Sequence, residues 1–410
     1  MTTAFYLRPD DPPVDWESRA TVVLANPEWL ERQAGGLTAI TRRLPALEAH
    51  VWVATSGTSS HTPGRMRWVA LSKAAFLASA QAVNAHLGAG PSDVWAHALP
   101  VFHVGGLGIL ARARLTGSMV VPAVPDRWDA LAFRDAVIAS RATLTALVPS
   151  QVHDLVAAGL QSPPSLRAIV VGGARLEPAL YTEARRLGWP CLPSYGLTET
   201  CSQVATAGLR SLESLACPSA LPVLSHAEIR SAEDGRLAIR AASLLTCVAE
   251  FDDDEIRAWD PKRDGWLETD DAGRVIDGHV EVVGRLSDFV KVLGELVSLQ
   301  RVEDEAWQWA GAAGLRGLPG FDLAIVALPH PRRGAEVVAA VAIGPGSTEA
   351  RRQALAASLD VHCREALLPF ERVQRVVWVD AIPRTPLGKC QRGLLGRQVG
   401  EQLRPDVLGD

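Results

Sequence analysis

The chain has 410 residues, of which 48% are hydrophobic and 21% charged, and its formal net charge at pH 7 is −5. That length predicts about two or three globular domains. The mild acidity excludes a broad basic surface for nucleic acid, and no apolar run approaches the ~18 residues of a membrane span. The first 13 residues lack the apolar stretch of a signal peptide, so no secretory leader is expected.

Cysteine and lysine are both used sparingly. The six cysteines form no C-x-x-C pair and no zinc-ligand spacing, which fits the reducing cytoplasm. Only four of the 41 basic residues are lysines: Lys73, Lys262, Lys291 and Lys389. We expect lysine here where a compact ammonium is needed, although the codon bias of a GC-rich genome would give the same composition.

Short apolar runs alternate with helical stretches between residues 51 and 200. The predicted strands are 51–54, 94–99, 119–122, 143–148, 166–171 and 189–192, and the predicted helices are 105–115, 128–141 and 151–158. Strands that alternate with helices indicate a doubly wound parallel sheet. The expected fold class is therefore α/β, with this sheet in a large N-terminal domain.

The pattern changes after about residue 205. Turns at Asp234-Gly235 and Asp277-Gly278 predict two β-hairpins, and hence a small barrel-like β subdomain at about 206–284. The last region mixes strands and helices, which predicts an α+β fold. Its predicted helices are 301–310 and 349–367, and its predicted strands are 323–328, 337–343 and 373–379. The expected domains are 1–285 and 286–410.

The stretch Tyr195-Gly196-Leu197-Thr198-Glu199-Thr200 follows a predicted strand at the sheet edge where ligands bind in open α/β folds. An aromatic ring can stack on a base, a threonine can donate to a phosphate, and a glutamate can hold Mg²⁺. Just upstream, Gly172-Gly173-Ala174 lets a planar ring approach the backbone. The alternatives are a strand-to-helix turn with a threonine N-cap and plain turn chemistry.

A hydroxyl-rich loop follows the first predicted strand. Its residues are Thr55, Ser56, Gly57, Thr58, Ser59 and Ser60. Their N–H and O–H groups suit a polyphosphate, although the loop is not a Walker A loop because no Gly-Lys-Ser/Thr follows. A polar surface loop is the alternative, and the position directly after a strand favours phosphate.

Three later segments place charge where a nucleotide would need it. Asp271 can bind both hydroxyls of a ribose, and Arg285 lies at the expected domain junction. Pro383-Arg384-Thr385-Pro386-Leu387-Gly388-Lys389 forms a tight loop, and its final ammonium can neutralise charge on a phosphoryl oxygen. The alternative for Asp271 is a solvated acidic turn, and for Arg285 a charged hinge that binds no ligand. The alternative for Lys389 is an exposed lysine near the C-terminus.

These five segments, in this order, resemble the adenylate-forming superfamily of acyl-CoA synthetases, luciferases and peptide-synthetase adenylation domains. Within it, the stretches 99–117 and 195–203 are similar to the o-succinylbenzoate–CoA ligases of menaquinone synthesis. The resemblance implies a small mobile C-terminal domain that rotates between two half-reactions. It implies ATP, Mg²⁺, coenzyme A and a small carboxylic acid as ligands, no nucleic-acid partner, and leaves homo-oligomerisation open.

The resemblance also assigns roles to the motif residues. The loop from Thr55 to Ser60 holds the β- and γ-phosphates. Thr198 contacts the α-phosphate, Glu199 binds Mg²⁺, and Lys389 bridges the α-phosphate and the attacking carboxylate. Asp271 and Arg285 hold the ribose, and Ser287 and Asp288 form the hinge. The adenine and acyl pocket is lined by Gly172, Gly173, Ala174, Tyr195 and Gly196.

Two residues are expected to act on the carboxylic acid substrate, one just before the predicted helix 105–115 and one within it. By resemblance His103 gates the acyl pocket, with a satisfied structural histidine as an equal alternative. Arg112 is predicted to anchor an aromatic carboxylate because a guanidinium fork matches carboxylate geometry. An arginine on the helix surface is the alternative.

The chain departs from the superfamily pattern at several positions. Ser60 stands where glycine is usual, and no lysine follows the loop, so Arg65 or Arg67 is expected to replace it. Asp270 replaces a glycine, and Ser287 replaces the usual hinge aspartate. The functions left open are another small acid–CoA ligase, a carrier-protein-loading adenylation enzyme, and a nucleotide-binding protein that has lost catalysis.

Overall fold

A computed structural model describes residues 14–26, 41–55, 67–124, 127–252, 255–344, 346–385, 388 and 390–403. The chain divides into two compact units. The first comprises residues 1–269 and 273–282, and the second comprises 270–272 and 283–410. The mixed α/β fold predicted from the sequence is confirmed, whereas the boundary after residue 285 stays a prediction.

Residues up to 285 form sixteen described strands and five described helices. The strands are β1 (Val22–Leu24), β2 (His50–Thr55), β3 (Arg67–Ser72), β4 (Val94–His97), β5 (Met119–Pro122), β6 (Leu144–Leu147), β7 (Ala168–Val171), β8 (Cys191–Leu197), β9 (Ser202–Thr206), β10 (Leu221–Pro222), β11 (Ala227–Ser231), β12 (Arg236–Ala241), β13 (Cys247–Asp252), β14 (Glu255–Trp259), β15 (Leu267–Ile276) and β16 (His279–Arg285). The helices are α1 (Lys73–Leu87), α2 (Val104–Thr116), α3 (Ala130–Ser140), α4 (Pro149–Ala157) and α5 (Pro178–Arg186).

The predicted parallel sheet is present and has six strands in the order β5-β4-β6-β7-β8-β9. Its pairings are parallel except that of β8 with β9. Ala96 packs with apolar residues of α3, α4 and α5, whereas its neighbour Trp95 meets Arg112 of α2. Successive strand residues point to opposite faces, so helices cover both faces of this sheet, as in a doubly wound fold.

The strand after residue 50 does not belong to that sheet. β2 pairs antiparallel with β3 and parallel with β1, in a second sheet of order β1-β2-β3-β13-β14. The short apolar run at 51–54 did not indicate which strand it would pair with, or whether the pairing would be parallel or antiparallel. Apolar runs of this kind are found in buried strands of both parallel and antiparallel sheets. Trp52 and Trp68 are fully buried in this sheet's core.

The antiparallel region has a third sheet, of order β10-β16-β15-β12-β11. β11 and β12 form the hairpin predicted around Gly235, which has a φ of +80°. Asp277 and Gly278, both with positive φ, connect β15 to β16. The strands at 247–259 lie instead in the β1-containing sheet, so the stretch 206–284 is not one continuous sheet.

The second unit is smaller and mixes strands with helices. Its strands are β17 (Phe289–Val292), β18 (Glu295–Ser298), β19 (Asp322–His330), β20 (Gly334–Ala342) and β21 (Arg375–Val379), and its helices are α6 (Leu299–Ala312), α7 (Glu349–Ala366) and α8 (Arg392–Gln402). β19 pairs antiparallel with β20, and β20 parallel with β21. One face of this sheet packs with α6 and α7, and the other packs with α8.

Two of the four lysines bind backbone carbonyls. Lys73 is buried, and its Nζ donates to the carbonyl oxygens of Asp15 at 2.6 Å and Ser18 at 2.7 Å. Lys262 Nζ donates to the carbonyl oxygen of Leu245 at 2.6 Å and pairs with Asp260 at 2.8 Å. Each ammonium thus fixes a chain segment that lies outside the helices and strands.

A buried carboxylate joins three segments of the first unit. Asp93 accepts hydrogen bonds from Arg167 at 2.8 and 2.9 Å, from Thr143 Oγ1 at 2.7 Å and from Gly90 N–H. Burial alone would raise the pKa of Asp93, but the bonds from Arg167, Thr143 and Gly90 outweigh it and lower that pKa to about 2.

This depressed pKa predicts an acid-sensitive contribution to stability. Because the folded pKa lies below the unfolded value of 3.8, the contribution is complete above about pH 4 and is lost as the pH falls toward about 2. Asp93→Asn should lower the unfolding midpoint at pH 7 and flatten its fall over that acid range. Asp135→Asn, which breaks an exposed pair with Arg134, serves as control. An unchanged acid profile in Asp93→Asn would contradict the assignment.

Among the helices of the described ranges, none combines the length and apolar character needed to cross a bilayer.

Candidate active site

The segment after β8 is a tight turn that the parallel sheet presents at its edge. Thr198, Glu199 and Thr200 form one turn of 3-10 helix, and β9 then returns antiparallel beside β8. Thr200 Oγ1 accepts from the Leu197 N–H at 3.0 Å and lies 2.6 Å from the Ser202 carbonyl oxygen. Thr200 is therefore the threonine that caps this turn. Thr198 and Glu199 are partly exposed.

Gly196 is required by the close return of the chain. A Cβ at this position would lie 1.9 Å from the Ser202 carbonyl oxygen, at a register shift between Tyr195 and Gly196. Tyr195 itself is buried, with 9% of its surface exposed.

Gly196→Ala should therefore displace the turn that carries Glu199. Because the clash is with backbone, we expect a loss of about 1–3 kcal/mol of stability, measured by chemical unfolding. Gly208→Ala is the matched control, since nothing lies within 4 Å of a Cβ at that position. Equal stability of the two variants would contradict the steric argument.

The glycines after β7 lie beside this turn. β7 and β8 are parallel, with Val171 opposite Pro193, and Ser194 Oγ donates to the Val171 carbonyl at 2.9 Å. Gly173 has a φ of +82°, a left-handed conformation that favours glycine. Gly173 and Ala174 are exposed, so their backbone is accessible to a flat ligand at this edge of the parallel sheet.

Glu199 faces one arginine of the same unit. Its Oε1 lies 3.6 Å from Arg67 Nη1, and each side chain is 19% exposed. Arg67 Nε is buried without a hydrogen-bond partner in the described part of the chain. Of the two arginines expected to replace the missing loop lysine, Arg67 is the one placed beside Glu199, while Arg65 is outside the described residues.

A single carboxylate suits Mg²⁺ that arrives with a nucleotide. Across the described ranges, no group of three or more His, Cys, Asp or Glu side chains is arranged to hold a metal. Mg²⁺ usually keeps several waters and takes one or two protein carboxylates plus substrate phosphates. Glu199 fits that pattern as the ligand from this chain.

His103 precedes α2, and its role in gating the acyl pocket stays a prediction. It occupies the N-cap position of α2 without a side-chain capping bond. Its Nε2 is buried and makes no hydrogen bond within the residues described. Burial lowers the pKa of His103 to about 4, so the ring is neutral at pH 7 and keeps a polar atom available to a ligand.

Arg112 is fully buried, which rules out a helix-surface arginine. Its Nη2 donates to Gln203 Oε1 at 2.8 Å, and its guanidinium carbon lies 5.5 Å from the Trp95 ring centroid. Nε and Nη1 are buried and have no partner among the described residues. Burial lowers the pKa of Arg112 to about 10, so it remains a cation at neutral pH.

The second unit holds the ribose and hinge candidates. Asp271 Oδ1 lies 3.6 Å from Arg285 Nε, and the Asp271 side chain is largely buried. Asp288 ends a 3-10 turn, Leu286–Asp288, and accepts from Arg392 Nη1 at 3.2 Å. The side chain of Ser287 is outside the described residues, so its hinge role stays a prediction.

Six predicted site residues lie outside the described residues: Ser56, Gly57, Thr58, Ser59, Ser60 and Lys389. Thr55 ends β2, and its Oγ1 donates to the Arg67 carbonyl at 3.2 Å. Sequence reasoning missed Gln203 as the partner of Arg112 and Arg392 as the partner of Asp288. A buried arginine gives no periodic signal of its own, so neither pairing could be read from the sequence.

The comparison with known families gives the class of this protein. Residues 23–238 match the AMP-binding enzyme family, and residues 321–389 match the AMP-binding enzyme C-terminal domain. Because the first match alone spans more than half of the chain, the protein belongs to the AMP-binding enzyme family.

Two curated relatives show which kind of AMP-binding enzyme this chain is similar to. The 2-succinylbenzoate–CoA ligase of Bacillus velezensis is 28% identical over 359 residues, which cover 84% of this chain and 69% of the relative. The ligase of that name from Staphylococcus aureus strain Newman is 28% identical over 78% of this chain and 62% of its own length. The chain thus spans about two thirds of the length of these curated relatives.

Solved structures agree on the fold. The o-succinylbenzoate CoA synthetase of Bacillus subtilis, in complex with its acyl-adenylate intermediate, superposes with a TM-score of 0.71 at 22% identity, covering 92% of this chain and 78% of the other. Escherichia coli MenE, bound to an analogue of OSB-AMS, gives a TM-score of 0.60 at 26% identity, covering 86% and 69% of the two chains.

Proposed function

We propose that this chain is an ATP-dependent acid–CoA ligase that forms an acyl-adenylate and then a CoA thioester, with o-succinylbenzoate as its acid. The observation that carries the proposal is the buried Arg112 guanidinium, whose Nε and Nη1 have no partner in the described structure. An unpaired buried charge is costly, and a carboxylate of the substrate would supply the missing partner. The names of the relatives support the same acid.

The chemistry explains why a nucleotide is needed. A carboxylate reacts poorly with a thiol because oxide is a poor leaving group, whereas AMP leaves readily from an acyl-adenylate. In the first half-reaction the carboxylate attacks the α-phosphorus of ATP and pyrophosphate departs. Catalysis of such a step rests on positioning and charge neutralisation.

The described residues supply part of that neutralisation. Glu199 would hold the Mg²⁺ that accompanies ATP, and Thr198 would donate to the α-phosphate. Arg67, with its buried Nε unpaired, would neutralise the leaving phosphates in place of the loop lysine. In the second unit, Asp271 would bind the ribose and Arg285 would hold the Asp271 carboxylate.

The acid itself explains the need for a second cation. o-Succinylbenzoate has two carboxylates, of which one is activated and the other must be held. Arg112 would hold the ring carboxylate, since its planar fork matches carboxylate geometry. Neutral His103 would line the pocket without competing for either charge.

The second half-reaction would follow a rotation about Ser287 and Asp288, which withdraws Lys389 and admits coenzyme A. Both co-substrates belong to the cytoplasm, where we place the enzyme. Its six cysteines, all unpaired, are compatible with that compartment.

The test is a panel of carboxylic acids. Pyrophosphate release should be greatest with o-succinylbenzoate, and mass spectrometry should find its CoA thioester. A preference for another acid would leave a different small acid–CoA ligase. Transfer to a carrier protein in place of CoA would indicate a carrier-loading enzyme, and absence of any acyl-adenylate would indicate a nucleotide-binding protein that has lost catalysis.

A further inference from the structure

The buried guanidinium of Arg112 is held by neutral groups of the first unit. Its Nη2 donates to Gln203 Oε1 at 2.8 Å and lies 3.4 Å from Ser202 Oγ. The ring beside it belongs to Trp95, and burial alone lowers the pKa of Arg112. The described residues therefore give this cation no carboxylate partner, although an arginine in a protein core is usually paired.

The side-chain amide of Gln203 can take only one orientation. A guanidinium only donates hydrogen bonds, so Gln203 must turn its Oε1 toward Arg112. Its Nε2 then faces Thr206 Oγ1, which accepts at 2.9 Å. Gln203 is 3% exposed and Thr206 is fully buried, so both bonds are shielded from water. Thr206 thus fixes the glutamine, and the glutamine fixes one arm of Arg112.

The helix that carries Arg112 leaves room for this arrangement. Gly108 lies one turn before Arg112 in α2, and a Cβ at Gly108 would be 3.2 Å from Arg112 Nη2. The backbone of Arg112 is anchored as well, since its carbonyl oxygen accepts from Asn84 Nδ2 at 2.9 Å. Nε and Nη1 stay unpartnered in the described structure. The guanidinium is therefore held through one nitrogen, and its other two nitrogens remain available to a ligand.

The residue type at position 203 decides how much charge Arg112 can offer. A glutamate of the same shape would form a charge-assisted hydrogen bond with the guanidinium, and would neutralise it before any ligand arrived. An apolar residue would remove the 2.8 Å bond that orients the guanidinium. Glutamine orients the guanidinium and leaves its positive charge uncompensated.

We propose that Gln203 is a positioning residue that makes this enzyme selective for an acid with a second carboxylate. The inference rests on the proposed function, in which Arg112 holds the ring carboxylate of o-succinylbenzoate. Gln203 presents Nε and Nη1 of Arg112 to that carboxylate and, being neutral, does not compete with it. An acid without the second carboxylate would leave the buried cation unpaired, which is costly.

The experiment compares two acids that differ only in that carboxylate. They are o-succinylbenzoate and β-benzoylpropionate, and kcat/KM is measured for each by pyrophosphate release at saturating ATP. The wild type should prefer o-succinylbenzoate.

Gln203→Glu should abolish that preference. The new carboxylate would occupy Arg112 and repel the ring carboxylate, so kcat/KM for o-succinylbenzoate should fall at least about 100-fold. The value for β-benzoylpropionate should stay within about twofold of the wild type, because this acid has no group that meets Arg112. The unfolding midpoint should equal or exceed that of the wild type, since the buried cation gains a partner. A glutamine needed only for packing would give a lower midpoint and equal losses for both acids.

Two further variants complete the design. Gln203→Leu removes the bond to Arg112, and should lower kcat/KM for o-succinylbenzoate about 10- to 100-fold, the range for one hydrogen bond to a charged group. It should spare β-benzoylpropionate, and it carries the test where Gln203→Glu does not fold. Gln374→Glu is the control, because Gln374 accepts from the Val337 N–H at 2.6 Å in the second unit, and it should change the rate with neither acid.

The outcomes separate the two proposals. A wild type that activates neither acid, or both equally well, would overturn the proposed role of Arg112 and this inference with it. A wild type that prefers o-succinylbenzoate, with a folded Gln203→Glu variant that keeps this preference or loses both acids equally, would overturn the positioning role alone. The same two results in Gln203→Leu would overturn it where Gln203→Glu does not fold.

Discussion

Arg112→Met is expected to lower the catalytic efficiency strongly without destabilising the protein. The variant should lose about 2–5 kcal/mol of binding to the acid in the transition state, the range for truncating one partner of a buried charge pair. That corresponds to about a 30- to 4,000-fold fall in kcat/KM for o-succinylbenzoate. The measurement is steady-state pyrophosphate release with the acid varied at saturating ATP.

The stability of Arg112→Met should move the other way. Arg112 is 1% exposed and leaves two buried donors unpaired in the described structure, so the folded protein bears the desolvation of a cation that only the substrate compensates. Replacing buried charge by an apolar side chain of similar size is often neutral or stabilising. We therefore expect an unfolding midpoint equal to or above that of the wild type.

The matched control is Arg167→Met in the same unit. Arg167 is paired with Asp93 at 2.8 Å, so its loss should lower the unfolding midpoint and leave the KM for the acid unchanged. The fall in Arg112→Met should also be larger for o-succinylbenzoate than for a benzoate with one carboxylate. A destabilised Arg112→Met variant, or one with equal loss for both acids, would contradict the anchoring role.

Lys389→Ala is expected to slow acyl-adenylate formation by about 10²- to 10³-fold, the effect of removing one group that stabilises transition-state charge. The prediction comes from the sequence, since Lys389 lies outside the described residues. Its readout is ATP–pyrophosphate exchange, with thioester formation from preformed adenylate expected to be unchanged. Arg397→Ala removes an exposed cation of α8 and should affect neither step. Equal exchange in Lys389→Ala and the wild type would remove the catalytic assignment.

The sequence predicted the elements of the fold better than their partners. The helices predicted at 105–115 and 349–367 lie within a residue of α2 and α7, because their apolar periodicity and caps are local. The assignment of the 51–54 strand to the parallel sheet was wrong, because pairing depends on residues far away in the chain. β2 pairs with β3, beyond the hydroxyl-rich loop.

The candidate site was predictable where chemistry requires a residue type. Glycine is needed at position 196 because the Ser202 carbonyl oxygen occupies the space of a Cβ. The motif at 195–200 already places a glycine there. The environment of a side chain was not predictable. Arg112 on a helix surface and Arg112 in the core give the same sequence, and only the contacts with Trp95 and Gln203 separate them.

The carbonyl contacts of Lys73 and Lys262 have a consequence for protein engineering. A composition so poor in lysine invites replacement of the remaining lysines by arginine, to leave one amine for selective conjugation. At Lys73 the exchange would force a planar group with spread-out donors into a space where one ammonium meets two oxygens at 2.6 and 2.7 Å. Arginine is therefore not a conservative replacement at Lys73, because its planar group would not reproduce both of these hydrogen bonds.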